Sequence, residues 1–252
     1  MKNFFWISRL YFKRQFFDLA NYLMVGLPII FLTVFYLTDR FLQTLQTSYE
    51  LANNPLANVL TLITIPMILC FQFFGTDAVA SALHEDLKGP TGARLKVSGN
   101  DERVFYLAVV AAAWLFYLLT GAVVIAVAHF IFSIYFASVP LTFLALALLA
   151  LMAQIIGVMM FYFTKDSKTS GRFAYLFGEV MIGIALFPFV FVNMPEVIKN
   201  ILNWFPVGIG LRLIETTNFA EAMLLVGVLL GMSVALSVAV FVIGRRKGYD
   251  RL

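Results

Sequence analysis

The chain has 252 residues, of which 62% are hydrophobic and 13% are charged, and its formal net charge is +4 at pH 7. This composition excludes a soluble globular domain and predicts a helical protein with several membrane spans. The single cysteine, Cys70, excludes an internal disulfide. His84 and His129 have no companion cysteine nearby, so we expect no metal site.

Residues 1–20 are aromatic and basic. Lys2, Arg9 and Lys13 fall on one stripe of a helix, whereas Arg14 lies off that stripe. We expect a helix in the headgroup region of the membrane, with its rings at the apolar boundary and its cations toward anionic lipid.

Six membrane spans follow, and they predict an all-α polytopic membrane protein with a single domain over residues 1–252. The run Val104–Thr164 contains no Asp, Glu, Lys or Arg, and at about 1.5 Å per residue it is long enough for two spans and a turn. The predicted spans are Asn21–Thr38, Asn58–Leu83, Phe105–Ala128, Leu141–Phe163, Phe173–Val192 and Ala222–Ile243.

The basic residues predict the orientation of these spans. Of the 18 Lys and Arg residues, 15 lie in the N-terminal segment, residues 84–103, residues 164–172 and the C-terminal tail. The positive-inside rule therefore places both termini and these two loops in the cytoplasm.

Residues 84–103, HEDLKGPTGARLKVSGNDER, form a charged hairpin between spans two and three. Gly89-Pro90 ends the preceding helix, Thr91–Val97 has room for about two turns, and Ser98-Gly99 breaks the chain again. These two helix breaks indicate a short helix parallel to the membrane that another protein could bind. The alternative is a solvated charged turn.

Residues 193–218 predict a broken helical hairpin at the outer face. Asn193 can cap a first helix, and Pro206 separates it from a second apolar segment that continues to Glu215. Each piece has about half the length of a membrane span, which is typical of a hairpin that enters the membrane and returns. The alternative is an amphipathic loop facing lipid. The first helix has one apolar face, formed by Val197, Ile198, Ile201, Leu202 and Phe205.

Catalytic motifs are absent from the sequence. There is no G-x-x-x-x-G-K-[ST] phosphate loop, no H-E-x-x-H and no G-x-S-x-G. The chain therefore cannot hydrolyse ATP by the phosphate-loop route.

The polar residues predicted within the spans are Asp77, Glu179, His129 and Gln154. Asp77 is either a pathway carboxylate or a paired interfacial one, and it lies about 10 Å deeper than His84 on the same helical face. For Glu179 an ion pair with Arg172, seven residues earlier, is favoured over a pathway role.

Small residues recur at every fourth position of the last span. These are Gly227, Gly231, Ala235 and Ala239. Such a row lets another helix approach closely. It is equally compatible with packing inside the subunit and with a dimer interface.

The order of these segments resembles the permease subunit of ATP-binding cassette (ABC) exporters of the ABC type-2 family. The resemblance depends on the basic N-terminal helix, the six spans, GARLKVS at 92–98 and MPEVIKNILNWFP at 194–206. It implies that 84–103 contains the helix that couples to the ATPase and that 193–218 is a re-entrant hairpin closing the exit. The implied coupling residues are Glu85, Asp86, Gly92, Arg94, Leu95 and Ser98, and the implied hairpin residues are Pro195, Trp204, Pro206 and Arg212.

The resemblance also implies the partners: a second permease copy or paralogue, and separate ATPase subunits that hold ATP and magnesium. This chain itself would hold no cofactor and would not be an enzyme. The implied activity is efflux of hydrophobic or amphipathic cargo, such as drugs, antimicrobial peptides or lipids, across a bacterial cytoplasmic membrane. An ion-coupled secondary transporter or an intramembrane enzyme are the alternatives.

Overall fold

The structure is a computed structural model that describes residues 2–17, 26–38, 56–88, 102–134, 136–190 and 195–249. Within these ranges the regular elements are helices, and no strand occurs. The helices are α1 (Lys2–Phe17), α2 (Gly26–Thr38), α3 (Leu56–Phe74), α4 (Thr76–Leu83), a π-helix (His84–Lys88), α5 (Glu102–Phe130), α6 (Val139–Phe163), α7 (Ser167–Val190), α8 (Glu196–Asn203), α9 (Pro206–Glu215) and α10 (Phe219–Tyr249).

The all-helical fold predicted from composition is confirmed. Five helices in the described ranges are long and apolar enough to cross a membrane, and the count rises to six if the bent pair α8 and α9 is taken as one span. The charge-free run around residues 104–164 forms two helices, α5 and α6, as predicted. The predicted first span is described only as α2, which has 13 residues and begins at Gly26.

The second predicted span is interrupted at Gly75. There the amide of Gly75 bonds to the Gln72 carbonyl at 3.2 Å, and the Thr76 hydroxyl donates to the Phe73 carbonyl at 2.8 Å. The ring of Tyr117 packs directly on Gly75, where it would lie 2.7 Å from an added Cβ. Glycine thus allows α5 to approach the point at which α3 passes into α4.

Helix α6 is the centre of the fold. It packs against α3, α4, α5, α7, α9 and α10. Its buried face includes Leu146, Leu149 and Ala153, which belong to the main hydrophobic cluster. Ser138 accepts from the Leu141 amide at the start of this helix, and a proline follows in its first turn, as is typical of a helix N-terminus.

Helix α10 contacts α6 along one face and leaves the small-residue row on another. Gly227, Gly231 and Ala235 are exposed, and Ala239 is half-buried. A Cβ added at Gly227 or Gly231 would meet nothing within 4 Å. In the described part of the chain these two glycines therefore serve no close packing inside the subunit, and the dimer interface stays a prediction.

Candidate functional site

Helix α1 is joined to the π-helix at the start of the charged segment 84–103. The Arg14 guanidinium pairs with both Glu85 and Asp86, the latter at 2.9 Å. The Tyr11 hydroxyl donates to Asp86. Burial and this hydrogen bond raise the pKa of the Tyr11 phenol, which therefore keeps its proton. These four residues, named here the α1–π cluster, connect positions more than 70 residues apart in the chain.

The π-helix is also joined to the end of α6. The Thr164 hydroxyl donates to the Met160 carbonyl at 2.7 Å, so it accepts from Nε2 of His84 at 2.8 Å. Lys88 Nζ donates to the Thr164 carbonyl at 2.8 Å. A cation at this position complements the carbonyl end of α6. The π-helix is therefore hydrogen-bonded directly to the residue that follows α6.

The start of α7 completes this region. The Asp166 carboxylate accepts from the Thr169 amide at 2.8 Å and from its hydroxyl at 3.1 Å, as in a capped helix N-terminus. These hydrogen bonds lower the pKa of Asp166. The loop between α6 and α7 is thus a short, ordered connection held by local hydrogen bonds.

Asp77 faces α7. Ser81 donates to Asp77 at 2.7 Å, and the Ser167 hydroxyl donates to Ser81 at 3.0 Å. A Cβ at Gly171 would lie 3.2 Å from the Asp77 carboxylate. The side chain therefore connects α4 to α7, and its pathway role stays a prediction.

Glu179 is exposed on α7, and the ion pair expected with Arg172 is not formed between these two described residues. Seven residues are about 10.5 Å along a helix, which is beyond the reach of a direct contact, whereas pairs three or four residues apart do meet.

Of the predicted coupling residues, the structure describes Glu85 and Asp86, and both pair with Arg14. The others, Gly92, Arg94, Leu95 and Ser98, lie outside the described residues, as does the short helix expected at 91–97. The π-helix is described to Lys88 and α5 from Glu102, and the predicted breaks at Gly89-Pro90 and Ser98-Gly99 lie between these described residues and stay predictions.

Sequence reasoning did not identify Tyr11, Arg14 and Thr164 as partners of the π-helix. Arg14 did carry a signal, because it lies off the cationic stripe of α1 and therefore points in another direction. The partners of Tyr11 and Thr164 depend on tertiary contacts that helical periodicity does not encode.

The segment predicted to lie at the outer face forms two helices, α8 and α9, with an 89° bend between them. Helix α8 is amphipathic and has no buried residue, and Pro195 and Trp204 at its ends are exposed. Helix α9 begins at Pro206 and buries Val207, Ile209 and Leu213 among other residues. The predicted break at Pro206 is confirmed, and only the second helix lies in the core.

Close backbone contact holds this bend. A Cβ on Gly208 would overlap the Leu202 carbonyl oxygen and lie 2.9 Å from Cα of Asn203. Glycine is therefore required at the bend between α8 and α9.

Arg212 fixes α9 to the start of α10. Its guanidinium pairs with Glu221 at 2.8 Å, and the Thr216 hydroxyl donates to the same carboxylate at 2.9 Å. The predicted hairpin residue Arg212 thus has a structural partner, which the sequence alone did not identify.

Two buried amides lie within the helical bundle. In the described part of the chain, Gln154 has no hydrogen-bond partner for its amide, and Gln72 has none for Oε1. Gln72 lines a crevice between α2, α3 and α5 together with Pro28 and Thr120. Polar groups inside membrane helices often mark functional positions. Gln72 was missed by the sequence reasoning, and Gln154 was noted without a role.

Comparison with protein families agrees with this architecture. A family model described as "ABC-2 family transporter protein" matches residues 39–244. The chain belongs to the ABC-2 transporter family. It is therefore a multi-pass membrane protein and an ABC-type permease. No curated protein and no solved structure was found to match the chain.

The α1–π cluster of this permease gives a first prediction. Arg14→Glu places a third carboxylate beside Glu85 and Asp86, and we expect it to lower the free energy of unfolding by roughly 1–2 kcal/mol, since two partly exposed ion pairs are replaced by repulsion. The exchange Arg14→Glu/Glu85→Arg should recover at least half of that loss. Thermal unfolding in detergent measures both.

The matched control is Arg9→Glu, because Arg9 is exposed on the same helix. If Arg9→Glu and Arg14→Glu destabilise the protein equally, or if the exchange recovers nothing, the α1–π cluster does not hold α1 in place.

Proposed function

We propose that this chain is the permease subunit of an ABC exporter driven by separate ATPase subunits that bind ATP and magnesium. The observation that carries the proposal is the linkage of the π-helix to two other parts of the bundle. Arg14 joins it to α1, and His84 and Lys88 join it to the end of α6. A protein that binds residues 89–101 and moves them would therefore displace α1 and α6 together.

The energy source in this proposal is a partner because the sequence has no phosphate loop. Closure of an ATPase dimer around ATP would displace the segment 91–97, where Gly92, Arg94, Leu95 and Ser98 lie. The π-helix passes that displacement to α6, which contacts six other helices. The loop before α7 is a second contact in this scheme.

The α8–α9 hairpin closes the exit in the proposed mechanism. Helix α9 is buried against Leu69 and Leu149 through Gly210, and the Arg212–Glu221 pair attaches it to α10. A shift of α6 would therefore reach the hairpin through direct packing and through α10.

The proposed cargo is hydrophobic or amphipathic and enters from the inner leaflet. The spans of the described chain expose large apolar side chains to the membrane, as on α7 and α10. Drugs, antimicrobial peptides and lipids belong to this class. A second permease copy or paralogue completes the exporter in a bacterial cytoplasmic membrane, with both termini in the cytoplasm as the basic residues predict.

The test is co-purification of the permease with an ABC ATPase encoded next to it. We expect Arg94→Glu/Leu95→Asp to reduce recovery of the ATPase at least about tenfold, because removal of interface anchors typically costs 2 kcal/mol or more. Lys199→Glu is the control, since it reverses an exposed charge on α8, far from the cytoplasmic loops of the proposed ATPase contact.

Undiminished recovery of the ATPase with the double variant would overturn the coupling assignment. The folded state of each variant is checked independently with Cys70, the only cysteine, which is fully buried and reacts with a thiol dye only when α3 is exposed.

A further inference from the structure

Two arginines at the ends of different spans meet at one aromatic ring. Arg103 is the first residue of the span Arg103–Phe130, and Arg245 is the last residue of the span Phe219–Arg245. Their guanidinium carbons lie 5.8 Å and 4.7 Å from the ring centroid of Phe241. Two positive charges that are distant in sequence are thus concentrated at one end of the helical bundle.

Packing beneath the ring keeps these helix ends together. A Cβ at Gly244 would lie 2.8 Å from the Tyr162 hydroxyl, so α10 approaches α6 closely at this level. The rings of Tyr162 and Tyr106 are 6.0 Å apart, which adds α5 to the same junction. Val240 packs against a hydrophobic cluster that includes residues of α5 and α6. The two arginines therefore extend from a fixed junction of three helices.

An apolar surface continues from the arginines along the spans. Leu107 lies one turn after Arg103 and is 62% exposed. On α10, Val238 and Phe241 are 56% and 48% exposed. The surface is cationic at the membrane boundary and apolar deeper along the helices, which is the polarity of a phospholipid.

We propose that Arg103 and Arg245 bind the phosphodiester of an anionic phospholipid whose acyl chains lie on Leu107, Val238 and Phe241. The guanidinium group presents paired donors that match phosphate oxygens. Basic sites between membrane helices bind anionic headgroups in this way. This site does not depend on the proposed ATPase partner.

The experiment titrates the delipidated full-length permease in neutral detergent with phosphatidylglycerol and, separately, with phosphatidylcholine. We expect saturable binding of phosphatidylglycerol that weakens about fivefold for Arg245→Gln and about 25-fold for Arg103→Gln/Arg245→Gln. The reason is that each arginine contributes roughly the binding free energy of one basic residue at an anionic lipid surface. Arg103→Lys/Arg245→Lys should stay within about fivefold of the wild type. Arg172→Gln, which removes an exposed arginine of α7, should change binding less than twofold.

Three results would overturn the proposal: equal binding of phosphatidylcholine, equal loss with Arg172→Gln, or unchanged binding in the double Gln variant. Glycerol phosphate serves as a probe of the headgroup without acyl chains. If the permease binds it with the same affinity as phosphatidylglycerol, the site recognises phosphate and not lipid. Labelling of Cys70 verifies folding. If the double variant unfolds, the single variant Arg245→Gln provides the test: a fivefold loss of binding supports the lipid site, and unchanged binding contradicts it.

Discussion

Gly208→Ala is expected to open the bend between α8 and α9. The added methyl group overlaps the Leu202 carbonyl oxygen and approaches the Asn203 backbone, and neither atom can move aside as a side-chain tip would. Overpacking against such groups costs about 1–3 kcal/mol. Spin labels on cysteines introduced by Lys199→Cys and Glu215→Cys, one on each helix, should therefore report a longer and broader distance distribution in the variant, together with a lower unfolding temperature.

Gly210→Ala is the matched control on the same helix. Its Cβ would meet the side-chain tips of Leu149 at 3.0 Å and Leu69 at 3.3 Å, and such tips can shift by a few tenths of an ångström. A smaller loss of stability and an unchanged distance distribution are expected. If both variants give the wild-type distribution, the close contact at Gly208 does not hold the bend.

Gly157→Leu should separate α6 from α4. A Cβ at this position would lie 2.5 Å from the Thr76 carbonyl oxygen and 3.1 Å from Cβ of Val79. The contact is between helix backbones, so an entire leucine side chain has no space. We expect a loss of about 3 kcal/mol in the free energy of unfolding, at the upper end of the range for overpacked cores.

Gly183→Leu is the control for helix propensity, which favours leucine over glycine by up to about 1 kcal/mol. A Cβ on Gly183 would meet nothing within 4 Å. This variant should unfold at or above the wild-type temperature when dye labelling of the buried Cys70 is followed during heating. A Gly157→Leu protein as stable as Gly183→Leu would contradict the packing of α4 on α6.

The spans could be predicted because their signals are local, although α7 begins at Ser167 and not at the predicted Phe173. A run without charges fixes α5 and α6. The break before Pro206 follows from the missing amide of proline. These features depend on composition and backbone chemistry, which can be read directly from the sequence.

The interruption at Gly75 could not be predicted from the same rules. Pro66 is the stronger helix breaker, yet α3 continues through it. The helix breaks at Gly75, where the Tyr117 ring packs and where the Thr76 hydroxyl satisfies the Phe73 carbonyl. The position of the break is therefore set by packing against α5.

Charge partners were predicted poorly for a related reason. Helical spacing suggested Arg172 for Glu179, but the ion pairs of the described chain join different helices, as Arg14 does with Glu85 and Asp86. The seven-residue spacing of Asp77 and His84 correctly places both on α4 and its extension, whereas their partners, Ser81 and Thr164, depend on local geometry and on α6.

The central claim is that a separate ATPase drives this permease. It is tested most directly in inside-out vesicles that contain the permease with or without the ABC ATPase encoded beside it, using uptake of an amphipathic fluorescent dye as the measurement. We predict uptake that requires ATP and the ATPase and that is lost with Arg94→Glu/Leu95→Asp. Uptake driven by an ion gradient in vesicles without the ATPase would contradict the account and identify a secondary transporter.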